Sequence, residues 1–283
     1  MGKLYLGWPN RADSGSATVS GGSWLAARPV TRVLTREMTD VARSNGLANV
    51  VLDFDFGTAR TLRAFAIANH NMSRTAVWRI QLGNTVGGAE VFDSNDQAAW
   101  RINFDTGVLE WEDNNWWAGN YDDGAVGHPF AAIYLAPADY SARHMRITIS
   151  DDLNPAGYVQ LGRVFAGMGT SPQCNMSYGM GDSWESLSQV EPTPGGTDFF
   201  AERRSFRVSQ FTLDHIDQQT EFRTFYEMQR RIGITGEVLY IPDDADMAAT
   251  QLTGFVGRFR KLNAIEYPYF NSRKQAFEVK ELI

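Results

Sequence analysis

Apolar and polar residues alternate with a period of two in several short runs of this chain. Val50, Leu52, Phe54 and Phe56 fall on one side of an extended run and Asp53 and Asp55 on the other, the pattern of a half-buried strand. Gly57 is expected to end it. Over 62–68, Phe65 and Ile67 oppose the small Ala64, Ala66 and Ala68, and Asn69-His70-Asn71 reads as a turn. Trp78, Ile80 and Leu82 share a face opposite Arg79 and Gln81. Met145, Ile147 and Ile149 alternate with Arg146, Thr148 and Ser150, and 159–165 forms a further short strand. Short strands separated by turn residues over 24–168 predict a β-sandwich of the jelly-roll kind.

The flanking segments read differently. Residues 1–23 are a Gly- and Ser-rich lead-in, with 4–7 available as a strand of a second domain. Residues 35–43 are a short helical candidate. From 169 to 197 Gly, Ser, Pro, Met and Asn occur without alternation, which predicts a linker or long loop. Residues 198–283 form a second domain, with strands at 204–213, 238–241, 255–260 and 276–282. Its helix, over 217–232, turns Phe222, Phe225, Tyr226 and Ile232 inward, with Gln229 as the polar exception. Asp217 or Thr220 is placed to cap that helix, and Gly233 to close it. The fold class is therefore mainly all-β: a β-sandwich jelly roll plus a β-barrel-like domain with one packed α-helix.

Composition sharpens this picture. Seventeen Phe, ten Tyr and eight Trp beside 26 Gly suit a β-rich chain with many turns. The formal charge of −7, from 26 Lys and Arg against 33 Asp and Glu, disfavours a phosphate backbone or an anionic lipid surface as a partner. A single Cys174 excludes an internal disulfide framework and a multi-cysteine zinc site. The longest apolar run, 130–136, falls far short of the roughly 20 residues of a spanning helix. The first residues lack the apolar core of a signal peptide, so a soluble product without membrane insertion is expected.

Chemistry is sparse. The chain has no phosphate loop, no G-x-G-x-x-G, no H-E-x-x-H and no G-x-S-x-G. His70, His128, His144 and His215 are scattered, and Cys174 lies far in sequence from any of them. Asp243, Asp244 and Asp246 form a turn whose oxygens suit either Ca²⁺ or solvent. Asp93-Ser94-Asn95-Asp96 begins like a calcium loop, but Gln97 and Ala98 break the spacing. No catalytic residue, metal ligand or cofactor is assigned. The distinctive stretch is 111–124, where Trp111, Trp116, Trp117 and Tyr121 are interleaved with Asp113 and Asp122. Aromatic faces and carboxylates together suit a sugar's C–H face and hydroxyls. The same side chains suit a packed core or a subunit interface. A glycan-cleaving pair, with Glu112 or Asp122 as the acid, would need two carboxylates set across a cleft.

Asp55-Phe56-Gly57, followed by Phe65-Ala66-Ile67-Ala68-Asn69-His70-Asn71 and Trp78-Arg79-Ile80, resembles the galactose-binding-like (discoidin-type) jelly roll. With Ala42-Arg43-Ser44 ahead of it, the layout resembles modules in minor tail proteins of long-tailed bacteriophages. Gly236-Glu237-Val238-Leu239-Tyr240-Ile241-Pro242-Asp243, after the helix, is similar to the helix-then-strand layout of phage tail-tip proteins. The resemblance implies a tail-tube-like, distal-tail-protein fold for the second domain. It also implies a virion location in the tail, after synthesis in the host bacterial cytoplasm. The function implied is structural: a ring of copies, six-fold rather than three-fold, linking tail tube to host-recognition apparatus. Its partners would be the tube, hub and tape-measure proteins. A carbohydrate-binding module for host surface glycans is the alternative, and Trp111, Asp113, Trp116, Trp117, Tyr121 and Asp122 are then the contact residues.

Overall fold

A computed structural model describes every residue except 1, 14, 16, 102–110, 113–115, 117–129, 193–194, 218–220, 269 and 271. In chain order its strands are β1 (Tyr5–Asn10), β2 (Thr18–Ser20), β3 (Ala42–Arg43), β4 (Val50–His70), β5 (Val77–Gly83), β6 (Phe92–Asp93), β7 (Gln97–Ala98) and β8 (Ala132–Ser150). They continue as β9 (Gln160–Thr170), β10 (Gly181–Ser186), β11 (Gln189–Pro192), β12 (Asp198–Ala201), β13 (Ser205–Asp217), β14 (Val238–Ile241), β15 (Phe255–Phe259) and β16 (Ser272–Glu281). Among the described residues there are two helices, α1 (Glu221–Ile232) and α2 (Met247–Thr253), with a 3₁₀ turn at Val30–Leu34. The fold is mainly β, and its long strands pair antiparallel, β4 with β8 and β9, β5 with β8, β1 with β9 and β14, and β13 with β10 and β16.

The chain divides into two compact units. The first comprises Met1–Ser171 and Glu237–Val256, and the second Pro172–Gly236 and Gly257–Ile283. In the first, β4 and β8 are long strands that pair with different neighbours along their length. Val50–Asp55 of β4 pairs with the end of β8 and with β2, while Ala64–His70 pairs with the start of β8 and with β9. The register shifts between Asp55 and Arg60 and again between Leu62 and Ala64. Such irregularities bend a strand and carry it around the corner of a sandwich. The core between the layers draws Leu52, Phe54, Phe56, Trp78, Ile80 and Ile147 from one side and Phe65, Ile67, Leu161 and Val164 from the other.

β1 lies between β9 and β14. Gly7 allows a close approach there, since a Cβ would stand 3.0 Å from Leu239 Cβ and 3.1 Å from the Phe165 ring and push both aside. In the second unit the strands run β10-β13-β16-β15. Phe277 of β16 meets Phe211, Phe259 and the α1 residue Phe225 at ring-centroid distances of 5.2, 5.7 and 5.8 Å, so the helix packs on the sheet through aromatics.

Several sequence expectations are corrected. Gly57 does not end its strand. At φ +71°, with its N–H donating to Asp55 Oδ1 at 2.8 Å, it bends a strand that runs on to His70. Residues 35–43 hold no helix; the 3₁₀ turn precedes them, after Pro29. The 169–197 stretch is not a plain linker, because β10 and β11 lie within it. The expected helix begins at Glu221 among the described residues, and Asp217 belongs to β13. A second helix, α2, follows β14. The contact-defined units also run differently from the expected 24–168 and 198–283 division: residues 2–13, β14 and α2 belong with the jelly roll.

Candidate functional site

Of the six residues named from sequence, Trp111 and Trp116 are described. Asp113, Trp117, Tyr121 and Asp122 lie outside the described residues. Trp111 is 69% exposed, Trp116 is half-buried, and their rings meet edge-on at 4.7 Å with 62° between planes. An exposed indole steadied by a second is an apolar platform.

The chain on both sides of this stretch is fixed to the sandwich. Trp100 donates from Nε1 to Met72 O at 2.9 Å and meets the rings of His70 and Phe130 edge-on. Gln251 of α2 donates to Ala99 O at 2.8 Å and accepts from the Arg101 N–H at 2.6 Å. His70 is a core residue whose Nδ1 accepts from the Met72 N–H at 3.3 Å. Burial pushes its pKa down to about 4, leaving the ring neutral at neutral pH.

The acidic turns hold backbone. Asp246 caps α2 by accepting from the Ala248 and Ala249 N–H groups at 3.1 and 3.0 Å. Asp243 Oδ1 accepts from Ala245 and Asp246, and Asp244 Oδ1 accepts from the Lys3 N–H. Asp93 is held by Arg79 through two hydrogen bonds, which lowers its pKa to about 2. Among the described residues no three His, Cys, Asp or Glu side chains gather to hold a metal. His144 stands 4.0 Å from Asp55 and His215 faces Ser272.

Sequence reasoning missed the most unusual surface, which belongs to the second unit. Beyond the β10–β13 ladder the chain extends as a hairpin in which β11 and β12 pair with each other, Val190 opposite Phe200 and Glu191 opposite Phe199. The ladder changes register between Ser186↔Ser205 and Gln189↔Ala201. Ser188 secures this bend, its Oγ accepting from the Arg203 N–H at 2.8 Å. Val190, Phe199 and Phe200 are 54, 62 and 62% exposed. On α1, Tyr226 stacks on Phe222 at 5.7 Å; Phe222 meets Tyr267 at 6.4 Å; Arg273 lies 4.1 Å over the Tyr267 ring and donates to Phe270 O. Tyr226, Tyr267 and Phe270 are all exposed. The signal available in sequence was Val190 and Phe199-Phe200 flanking a Pro- and Gly-rich turn, apolar residues where a linker has no use for them.

No family model and no curated protein matches the chain. Among solved structures it is similar to the family 32 carbohydrate-binding module of Clostridium perfringens NanJ, in complex with galactose. Identity there is 13% over 57% of this chain and 98% of that one, with a TM-score of 0.37. The lectin domain of lectinolysin complexed with Lewis B antigen matches at 12% over 56 and 97%, TM-score 0.35. The family 32 module of AlyQ with unsaturated mannuronic acid matches at 16% over 53 and 93%, TM-score 0.35.

Proposed function

We propose that this chain is a structural assembly subunit of the tail-tip kind its sequence resembles, with the second unit as the associating part. The observation that carries this reading is where large apolar side chains are left in water. Of sixteen such residues among the described ones, thirteen belong to the second unit, including Trp184, Phe199, Phe200, Tyr226 and Phe270. Single exposed apolar residues are ordinary on a monomer, but a concentration of aromatics marks a contact surface. Identical subunits meeting through different patches close into rings, and six-fold closure is the expectation from resemblance. Light scattering on the purified chain across a concentration series tests this. Concentration-dependent growth to a hexamer or trimer supports it, and a strict monomer throughout overturns it.

A second reading, glycan recognition by the first unit, rests on the exposed Trp111 braced by Trp116. Calorimetry against a panel of glycans that includes galactose is expected to show heat that Trp111→Ala removes. Binding that survives Trp111→Ala and Trp116→Ala, or no binding to any glycan, overturns it.

A further inference from the structure

We infer that the β11–β12 arm of one copy docks on the α1 aromatic patch of a second copy of this chain, head to tail. The inference rests on the assembly reading and names the two surfaces that would mate. The first argument is charge. Residues 189–202 carry Glu191, Asp198 and Glu202 and no Lys or Arg, and Arg203 and Arg204 stand at the base where the arm joins β13. The exposed face of α1 carries Arg223, Arg230 and Arg231. Arg230 and Arg231 share one acid, Glu227, while Arg223 has no ion pair among the described residues. An acidic arm and a basic patch attract and also fix orientation.

The second argument is apolar fit. Val190 and Phe200 are directly opposed, so their side chains stand on one face of the arm. Among the described residues neither Phe199 nor Phe200 meets another ring. The α1 patch offers Phe222, Tyr226, Tyr267 and Phe270, an aromatic cluster with an arginine at its edge, the composition of an interface centre. Because arm and patch are different surfaces, each copy has one of each to offer. Such contacts are heterologous and propagate until they close.

Sedimentation velocity on the full chain and two variants tests this. One variant breaks the arm (Phe199→Asp with Phe200→Asp) and the other the patch (Arg223→Glu with Tyr226→Ala). Each is expected to weaken self-association by at least about 30-fold. Circular dichroism and the unfolding midpoint should hold at concentrations where the wild type is monomeric, because all four side chains are exposed. An equimolar mixture of the two variants is diagnostic. It retains one intact arm and one intact patch, so it should form a 1:1 dimer and nothing larger. If both variants assemble like the wild type, the surfaces are wrong while the assembly reading stands. If the wild type is monomeric throughout the micromolar range, both fall. Mixed variants that stay monomeric overturn the head-to-tail pairing, and so does either variant assembling alone like the wild type, the result an arm-to-arm or patch-to-patch contact gives.

Discussion

The two units spend their apolar residues in opposite ways. The first folds Trp78, Phe54, Phe56 and Phe65 into a sandwich and leaves three large apolar side chains exposed among its described residues, Val86, Trp111 and Leu153. The second, less than half its size, leaves thirteen exposed. Both units enclose an ion pair, Arg207 with Glu281 in the second, and they differ in what they leave outside. The first unit encloses Arg163, fully buried, with Glu237 at 2.9 Å and the Leu34 carbonyl as a further acceptor. The second places its arginines on α1 in water, around one exposed glutamate. On the proposed assembly reading, the unit that displays its apolar surface is the one that associates.

The largest expected effect strikes the finished unit. Arg163 binds Glu237 through Nε and Nη2 and reaches the backbone of the 3₁₀ turn, so it joins β9, the N-terminal loop and the entry to β14. Arg163→Met leaves Glu237 buried and unpaired, which should cost about 3–5 kcal/mol. Denaturant unfolding measures it. The double variant Arg163→Met with Glu237→Leu should recover most of the loss, because the penalty is the orphaned charge rather than the absent pair.

Next comes a pH effect on the same unit. His70 has a folded pKa of about 4 against an ordinary 6.5, lowered chiefly by burial. Between those values the unfolded chain binds the extra proton, so stability rises with pH across this window and is lost as pH falls from 6.5 toward 4. The full loss approaches about 3 kcal/mol. Urea midpoints at pH 7 and pH 5 should diverge for the wild type and converge for His70→Gln. Asp55, held down to about 2 by Arg143 and the Gly57 N–H, and Asp93, held to about 2 by Arg79, titrate below that window. Their contribution is present above the ordinary carboxylate range and is lost only as pH falls through it toward 2.

A smaller effect belongs to α2. Asp246→Ala removes the acceptor of two backbone N–H groups and should cost about 1 kcal/mol. Added calcium should not raise the melting midpoint of the wild type, since Asp243 and Asp246 already hold backbone.

How much of this the sequence disclosed follows from burial. Strands with one wet face alternate, and Val50–Phe56, Trp78–Leu82 and Met145–Ile149 were legible for that reason. The long courses of β4 and β8 were not, because Gly57 marks a bend and a strand end with the same residue. The seven residues of α2 are too few to show a helical period. The linker expected over 169–197 takes in β10 and β11, which bury almost nothing, so no face imposes alternation there. Of the aromatic segment, Trp111 and Trp116 were found as a pair, while the remaining four residues lie outside the described ones.

The smallest expected change is the one that most sharpens the contrast. Phe200 is 62% exposed on the arm and pairs across the hairpin with an equally wet Val190. In a monomer Phe200→Ser should therefore alter unfolding free energy by no more than about 0.5 kcal/mol, as surface substitutions do. A buried Phe truncated in this way would cost about 3–5 kcal/mol, and Phe277, packed among three other rings, is the internal standard for that outcome. Equilibrium unfolding of Phe200→Ser and Phe277→Ala at low protein concentration separates the cases. A loss at Phe200 near that at Phe277 would mean the arm packs inward in solution, and the second unit would then be as self-contained as the first. A near-zero change at Phe200, growing as protein concentration rises for the wild type alone, places its stabilising contact on another molecule.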